Sequence, residues 1–209
     1  MDINRDGTFT GISLRLEWSA AMLPKEGEDY CGDRYLVKEA GDKVLTAAID
    51  GVGHGEKAGN VAQRALRSLE SFKGEPLIPL VEQCHKALRN TRGVVMSLAL
   101  FDTAAHTMSW ISVGNVDGVL IKAGGEENNK NIVLRGGIVG YKLPSLRTSV
   151  LPVSPGDLLI LTTDGVKGEY IDSVFHEKTT GEIVNYISSN FFKPLDDALV
   201  FTARYMETK

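Results

Sequence analysis

Lys43-Val44-Leu45-Thr46-Ala47-Ala48-Ile49-Asp50-Gly51-Val52-Gly53-His54-Gly55 is the stretch whose reading decides the fold. Residues 43–49 are apolar enough to form a buried strand. From Glu56 onward, Ala58, Val61, Ala62, Ala65, Leu66, Leu69 and Phe72 recur at helical spacing, which predicts a helix over 56–72. Asp50 therefore stands at a strand end, followed by glycines and then a helix. A carboxylate in that place, beside glycines that let a ligand approach the backbone, suits a hard metal ion or a phosphate. A lone Asp-Gly is more often only a turn. Its meaning depends on whether other parts of the chain repeat the pattern.

Upstream, residues 12–20 alternate like one strand with Ile12, Leu14, Leu16 and Trp18 on a shared face. Residues 34–38 and 43–49 read as a hairpin turned at Ala40-Gly41-Asp42. Downstream, Leu77, Leu80, Val81, Cys84, Ala87 and Leu88 predict a second helix over 77–90, with Pro76 and Pro79 fitting its first turn. Strands are expected at 94–101, 107–113, 118–122, 132–134, 146–153 and 158–163. A polar loop is expected at 124–131, a helix near 181–189 and a last strand at 198–205. So many consecutive strands argue against a doubly wound parallel sheet. They favour an α+β fold of two mainly antiparallel sheets with helices on the outer faces. Trp18 and Trp110 fall in strands and are expected in the core.

The bulk composition bounds the function. The chain has 209 residues, 43% hydrophobic and 24% charged, which suits one domain over 1–209 that buries a core without staples. A net charge of −4 argues against a broad nucleic-acid footprint. Cys31 and Cys84 have neither CxxC spacing nor a phosphate-loop context, so reduced thiols are expected rather than a zinc site or a nucleophile. No apolar run reaches membrane-spanning length, and the polar N-terminus lacks a signal-peptide pattern. A cytoplasmic setting with no membrane partner is the expectation.

Four positions share the grammar of Asp50. Asp33 follows Cys31-Gly32 and precedes a strand. Asp50 ends one, and Asp164 ends another before Gly165. Asp196 and Asp197 precede the final strand. Carboxylates gathered in one pocket repel each other, and raised pKa values or a bound cation must relieve that. Oxygen-only donors favour magnesium, manganese or calcium over zinc.

Gly32-Asp33, Ile49-Asp50-Gly51-Val52-Gly53-His54-Gly55, Ser112-Val113-Gly114-Asn115, Thr162-Thr163-Asp164-Gly165 and Asp196-Asp197 occur in one order over about residues 12 to 205. In that order the chain resembles the metal-dependent Ser/Thr protein phosphatases of type 2C. It is most similar to their bacterial SpoIIE-like branch and to the stand-alone phosphatases of stressosome signalling. The resemblance implies a four-layer αββα sandwich and two Mn2+ or Mg2+ ions at one end of the sheets. It implies that Asp50 bridges both ions and that the Gly51 carbonyl holds the first. Asp164 and Asp196 would hold the second, and Asp33 a water within the coordination sphere. Two dications acidify a shared water and neutralise phosphate charge, so no phosphoenzyme is needed. The implied partner is a phosphorylated protein, a STAS-type stressosome scaffold or antagonist, acted on by a monomeric enzyme that resets a stress signal.

The sequence also departs from the family pattern. Some members carry a histidine two residues after the bridging aspartate, where this chain has Val52. His54 lies two residues further on, with a proton-donating and a structural role both open. Asn115 stands where many members have an aspartate for a third metal. The arginine that grips phosphate in eukaryotic members has no counterpart before Asp33, which leaves Arg34, Lys57 and Arg92 as cations that could contact it. The Gly136-Gly137-Ile138-Val139-Gly140 loop reads equally as a connector and as a close approach to substrate. Nothing matches a nucleotide-binding glycine pattern. The rival readings are a pseudophosphatase that docks a partner without turnover and a hydrolase of small phosphoesters.

Overall fold

A computed structural model describes residues 2–3, 8–124, 129–131, 133–172, 175 and 177–207. Strands β1 (Asp2–Ile3), β2 (Thr8–Ser13) and β3 (Leu16–Leu23) lead into β4 (Asp33–Ala40) and β5 (Lys43–Gly51). Helices α1 (Gly55–Leu69) and α2 (Leu77–Ala87) follow, then β6 (Val94–Asp102), β7 (Thr107–Val113), β8 (Asp117–Ile121) and β9 (Lys130–Asn131). The chain continues through β10 (Ser149–Pro152), β11 (Leu158–Thr162), a 3-10 turn at Gly168–Asp172, α3 (Thr180–Phe191) and β12 (Ala198–Tyr205). One sheet has the order β1-β2-β3-β12-β11-β8-β9 and the other β10-β7-β6-β5-β4. Every pairing is antiparallel.

Side-chain alternation explains the layering. In β5, Leu45, Ala47 and Ile49 face α1 and α2, whereas Val44 and Ala48 enter the core between the sheets. In β11, Leu158 and Ile160 face α3, whereas Leu159 and Leu161 enter the same inter-sheet core. Both faces of these strands are buried, which is why they read as unbroken apolar runs. The result is the expected α+β four-layer sandwich, with α1 and α2 outside the five-stranded sheet and α3 outside the seven-stranded one. Trp18 and Trp110 lie in the inter-sheet core. Thr179 caps α3 through a reciprocal box with Glu182, which starts that helix one residue before Gly181.

Several expected boundaries change. Residues 12–20 are two strands, not one: Ser13 pairs with Leu16 across a two-residue turn at Leu14-Arg15, and Leu14 has a φ of 46°. Tight hairpin turns usually announce themselves with Gly or Asn at such a φ. Leu-Arg carries no such signal, and the apolar alternation runs straight through it. Ile12 and Leu14 are consequently exposed, while Leu16 is fully buried. α1 stops at Leu69 and α2 at Ala87, short of the expected 72 and 90. Asn90 takes a φ of 63°, which a helix does not tolerate.

The expected loop at 124–131 lies partly outside the described residues, and Lys130–Asn131 instead pairs with β8 as β9. Ile132 lies outside the described residues, and Val133 and Leu134 are not in a strand. The strand expected at 146–153 shrinks to Ser149–Pro152 at a sheet edge.

Leu16→Ala should cost about 2–5 kcal/mol of stability, because it empties part of the inter-sheet core. Ile12→Ala should stay within about 0.5 kcal/mol. Urea unfolding of the two variants checks this; equal losses would restore the single-strand reading.

Candidate metal and phosphate site

The β4–β5 ladder places Asp33 directly opposite Asp50. Asp50 shares the parity of Ala48, so its side chain points into the space between the sheets. Asp164 follows the end of β11, and Asp196 and Asp197 precede β12, the strand paired with β11. These segments meet at one end of the sandwich. Asp50, Asp164, Asp196, His54, Asn115 and Lys25 line a cleft there of about 390 Å³, together with Val52 and Gly53. Asp33 lies beneath it, 1% exposed.

The glycines of the two Asp-Gly pairs have a packing reason. A Cβ on Gly51 would lie 2.3 Å from the Ala58 carbonyl oxygen, and one on Gly165 would lie 1.9 Å from that of Asp197. Neither residue has a positive φ. They are glycine because α1 and the approach to β12 press against them, which fixes the backbone beneath Asp50 and Asp164. The Gly51 amide donates to the Gly32 carbonyl at 3.1 Å, tying the two Asp-bearing strand ends together.

Hydrogen bonds hold the deeper carboxylates. Thr163 Oγ1 donates to Asp33 Oδ2 at 2.7 Å and accepts from the Leu199 amide at 2.8 Å. This relay joins β4 to the β11–β12 side. Asp197 Oδ1 accepts from the Lys25 amide at 2.9 Å. Asp33 Oδ1 and Asp197 Oδ2 are buried with no hydrogen-bond partner among the described residues. Buried carboxylate oxygens without a donor are costly unless a cation or water reaches them.

Electrostatics follow from this crowding. Burial first, then Asp50, drives the Asp33 carboxyl well above its usual range. The Thr163 hydrogen bond opposes that rise, and Asp197 and Asp164 add to it. Burial first, then Asp164, Asp196 and Asp197, pushes Asp50 up to about 8. Burial, followed by the charge of Asp33, pushes the Cys31 thiol up to about 12, which keeps it from acting as a thiolate at neutral pH. The donors are oxygen-rich and charge-starved, a chemistry that fits hard divalent cations. Among the described residues no three His, Cys, Asp or Glu side chains close on one point, so the carboxylates ring the cleft rather than meet.

The other sequence-selected residues divide. His54 lines the cleft, and its Nδ1 is 2.7 Å from Glu28 Oε1 at the surface. Asn115 Nδ2 donates to Asp164 Oδ2 at 2.7 Å, where a carboxylate would repel. Arg34 Nη1 donates to the Cys31 and Asp33 carbonyls and does not line the cleft. Arg92 Nη1 donates to the Val52 carbonyl at 3.0 Å, on the outer side of the cleft wall. Lys57 lies with Arg92 in a neighbouring cleft. Gly140 approaches Leu88 and Gly93, so the 136–140 loop packs against the end of α2. Sequence reading missed Lys25, Glu28 and Lys193, whose Nζ donates to the Asp164 carbonyl. Their only signal is position in polar segments just before Asp33 and Asp196.

Residues 40–206 match the family model described as stage II sporulation protein E (SpoIIE). The chain belongs to the SpoIIE family. It is 30% identical over 170 residues to phosphoserine phosphatase RsbX of Bacillus subtilis (strain 168), covering 81% of this chain and 82% of that protein. A solved structure described under the words "The bacterial stressosome: a modular system that has been adapted to control secondary messenger signaling" is 31% identical. It covers 90% of this chain and 99% of its own, with a TM-score of 0.82. A crystal structure of RsbX in complex with magnesium is 22% identical and shares the fold with a TM-score of 0.85, covering 95% of this chain and 99% of that one.

Asp50 binds a proton in the folded state up to about pH 8, whereas an unfolded aspartate loses it near pH ~4. Its contribution therefore favours folding at low pH and is lost as pH rises toward 8. Metal-free protein should melt progressively lower between pH 5 and 8.5. Mg2+ or Mn2+ should restore the midpoint, most strongly at the high end. Asp50→Asn should flatten both trends. Thermal melts across pH with EDTA or metal check this, and a metal-free midpoint independent of pH would contradict it.

Proposed function

We propose that this chain is a metal-dependent phosphatase that removes phosphate from serine or threonine of a protein partner. One observation carries the reading: Asp33 and Asp50 face each other across a ladder, beneath Asp164 and Asp196, with buried carboxylate oxygens left unpartnered. Membership of the SpoIIE family and the phosphoserine phosphatase named among its relatives support the same chemistry.

In this reading Asp50, Asp164, Asp196 and the Gly51 carbonyl would hold two Mg2+ or Mn2+ ions. When bound, the ions acidify water and neutralise phosphate charge. The protein's own groups do the rest. Asp50, as a carboxylate, would supply negative charge to a cation. Asp33, oriented by Thr163, holds a water through its free Oδ1. Asp197 and Lys193 fix the backbone that carries Asp196 and Asp164. His54, oriented by Glu28, gives a proton to the leaving serine oxygen. Arg92 steadies the Val52–Gly53 wall and stands near incoming phosphate.

The partner is a phosphorylated protein of stressosome signalling, with a STAS-type scaffold or antagonist as the specific substrate and a monomer as the working form. No helix among the described residues is long and apolar enough to cross a membrane. Two free thiols fit a cytoplasmic setting.

The test is phosphate release from p-nitrophenyl phosphate and from a phosphoserine protein, with Mn2+, Mg2+ or EDTA. Release should need metal, and Asp50→Asn should lower it by about 100-fold or more. Near-normal turnover in that variant would defeat the proposal, and binding without turnover would favour a docking module. His54→Gln should slow phosphoserine release more than p-nitrophenyl phosphate release, because the nitrophenolate leaves without a proton. Equal losses on both substrates would return His54 to a structural role.

A further inference from the structure

Beside the carboxylate cleft lies a second cleft of opposite charge, of about 370 Å³. Lys57 and Arg64 are seven residues apart on α1 and share a face with Asn60 between them. Thr91 and Arg92 form the facing wall. The basic side chains paired with carboxylates among the described residues are His54 with Glu28 and Lys122 with Asp157. Lys57, Arg64 and Arg92 are therefore without an acidic partner there, in a chain whose net charge is −4. Single unpaired surface cations are ordinary, but three converging on one concavity of an acidic chain are not. Arg92 also couples the two clefts. Its Nη1 holds the Val52 carbonyl, and a Cβ on Gly53 would lie 2.4 Å from that nitrogen. Val52 and Gly53 in turn form the wall of the carboxylate cleft.

We infer that the Lys57–Arg64–Arg92 cleft binds an acidic segment of the phosphoprotein substrate that flanks the phosphorylated residue. The inference rests on the phosphatase reading and adds a specificity determinant to it. A substrate segment carrying carboxylates has no place in the phosphate cleft, which the phosphate itself occupies. Over the Arg92 wall it meets uncompensated positive charge instead. Charge opposition of this kind sets register and speeds encounter more than it adds affinity. The cleft therefore selects which phosphorylated segments are presented, while the carboxylates act on the phosphate itself.

The test does not need turnover. Two fluorescein-labelled, unphosphorylated peptides of equal length are compared by fluorescence anisotropy with the full chain in EDTA. One is rich in Asp and Glu, and the other carries Asn and Gln at the same places. In EDTA the carboxylate cleft holds no metal ion that could attract the acidic peptide. The acidic peptide should bind about tenfold tighter at low salt, the scale of three exposed charge pairs. Raising ionic strength should erase the difference. The double variant Lys57→Glu/Arg64→Glu, with its melting midpoint recorded to confirm folding, should lose the acidic preference and favour the Asn/Gln peptide. No preference in the wild type, or an acidic preference retained by the folded double variant, would overturn the inference. An acidic preference in a chain that releases no phosphate from any substrate would uphold this cleft and refute the phosphatase reading.

Discussion

Mutual repulsion among carboxylates at one end of the sandwich is the constraint on which the rest of the structure turns. Asp33 and Asp50 are forced together by ladder register, and Asp164, Asp196 and Asp197 are brought in by β11 and β12. No side-chain cation pairs with these five carboxylates among the described residues. What holds them is the fold: double-sided burial of the strands, the Gly51 and Gly165 contacts, and the Thr163 relay between the sheets. The large inter-sheet core supplies the stability that such a site removes. Strain of this kind, stored in a functional site and offset elsewhere, is a familiar feature of catalytic proteins.

The architecture was legible because its signals are local. Unbroken apolar runs at 43–49 and 158–162, followed by Asp-Gly, marked strands buried on both faces and ending in carboxylates. Helical spacing marked α1 and α2. The Leu14-Arg15 turn was not legible, since a leucine at positive φ is specified by the pairing of β2 with β3 and not by the dipeptide. β9 was equally hidden: Lys130 and Asn131 have no strand-forming character and pair only because β8 offers an edge.

The carboxylate cluster was legible in its residues more than in its physics. Asp33, Asp50, Asp164 and Asp196 could be named from their shared place at strand ends. The glycines after Asp50 and Asp164 looked like openings for a ligand, yet they are sites of backbone crowding against Ala58 and Asp197. The groups that orient the carboxylates, Lys25, Thr163 and Lys193, act through single long-range hydrogen bonds that no spacing rule encodes. Arg34 shows the converse: beside Asp33 in sequence, its Nη1 is engaged by nearby carbonyls.

The order of the aspartates along the chain bears on synthesis. Asp33 and Asp50 emerge early, but Asp196 precedes the last strand, and β12 must insert between β3 and β11 before the cleft exists. Pairings of such sequence separation close only after the chain through β12 has been made. The β4–β5 hairpin by itself brings only Asp33 opposite Asp50, and Asp164 and Asp196 join them only with β11 and β12. Activity would switch on only when the whole sandwich has closed.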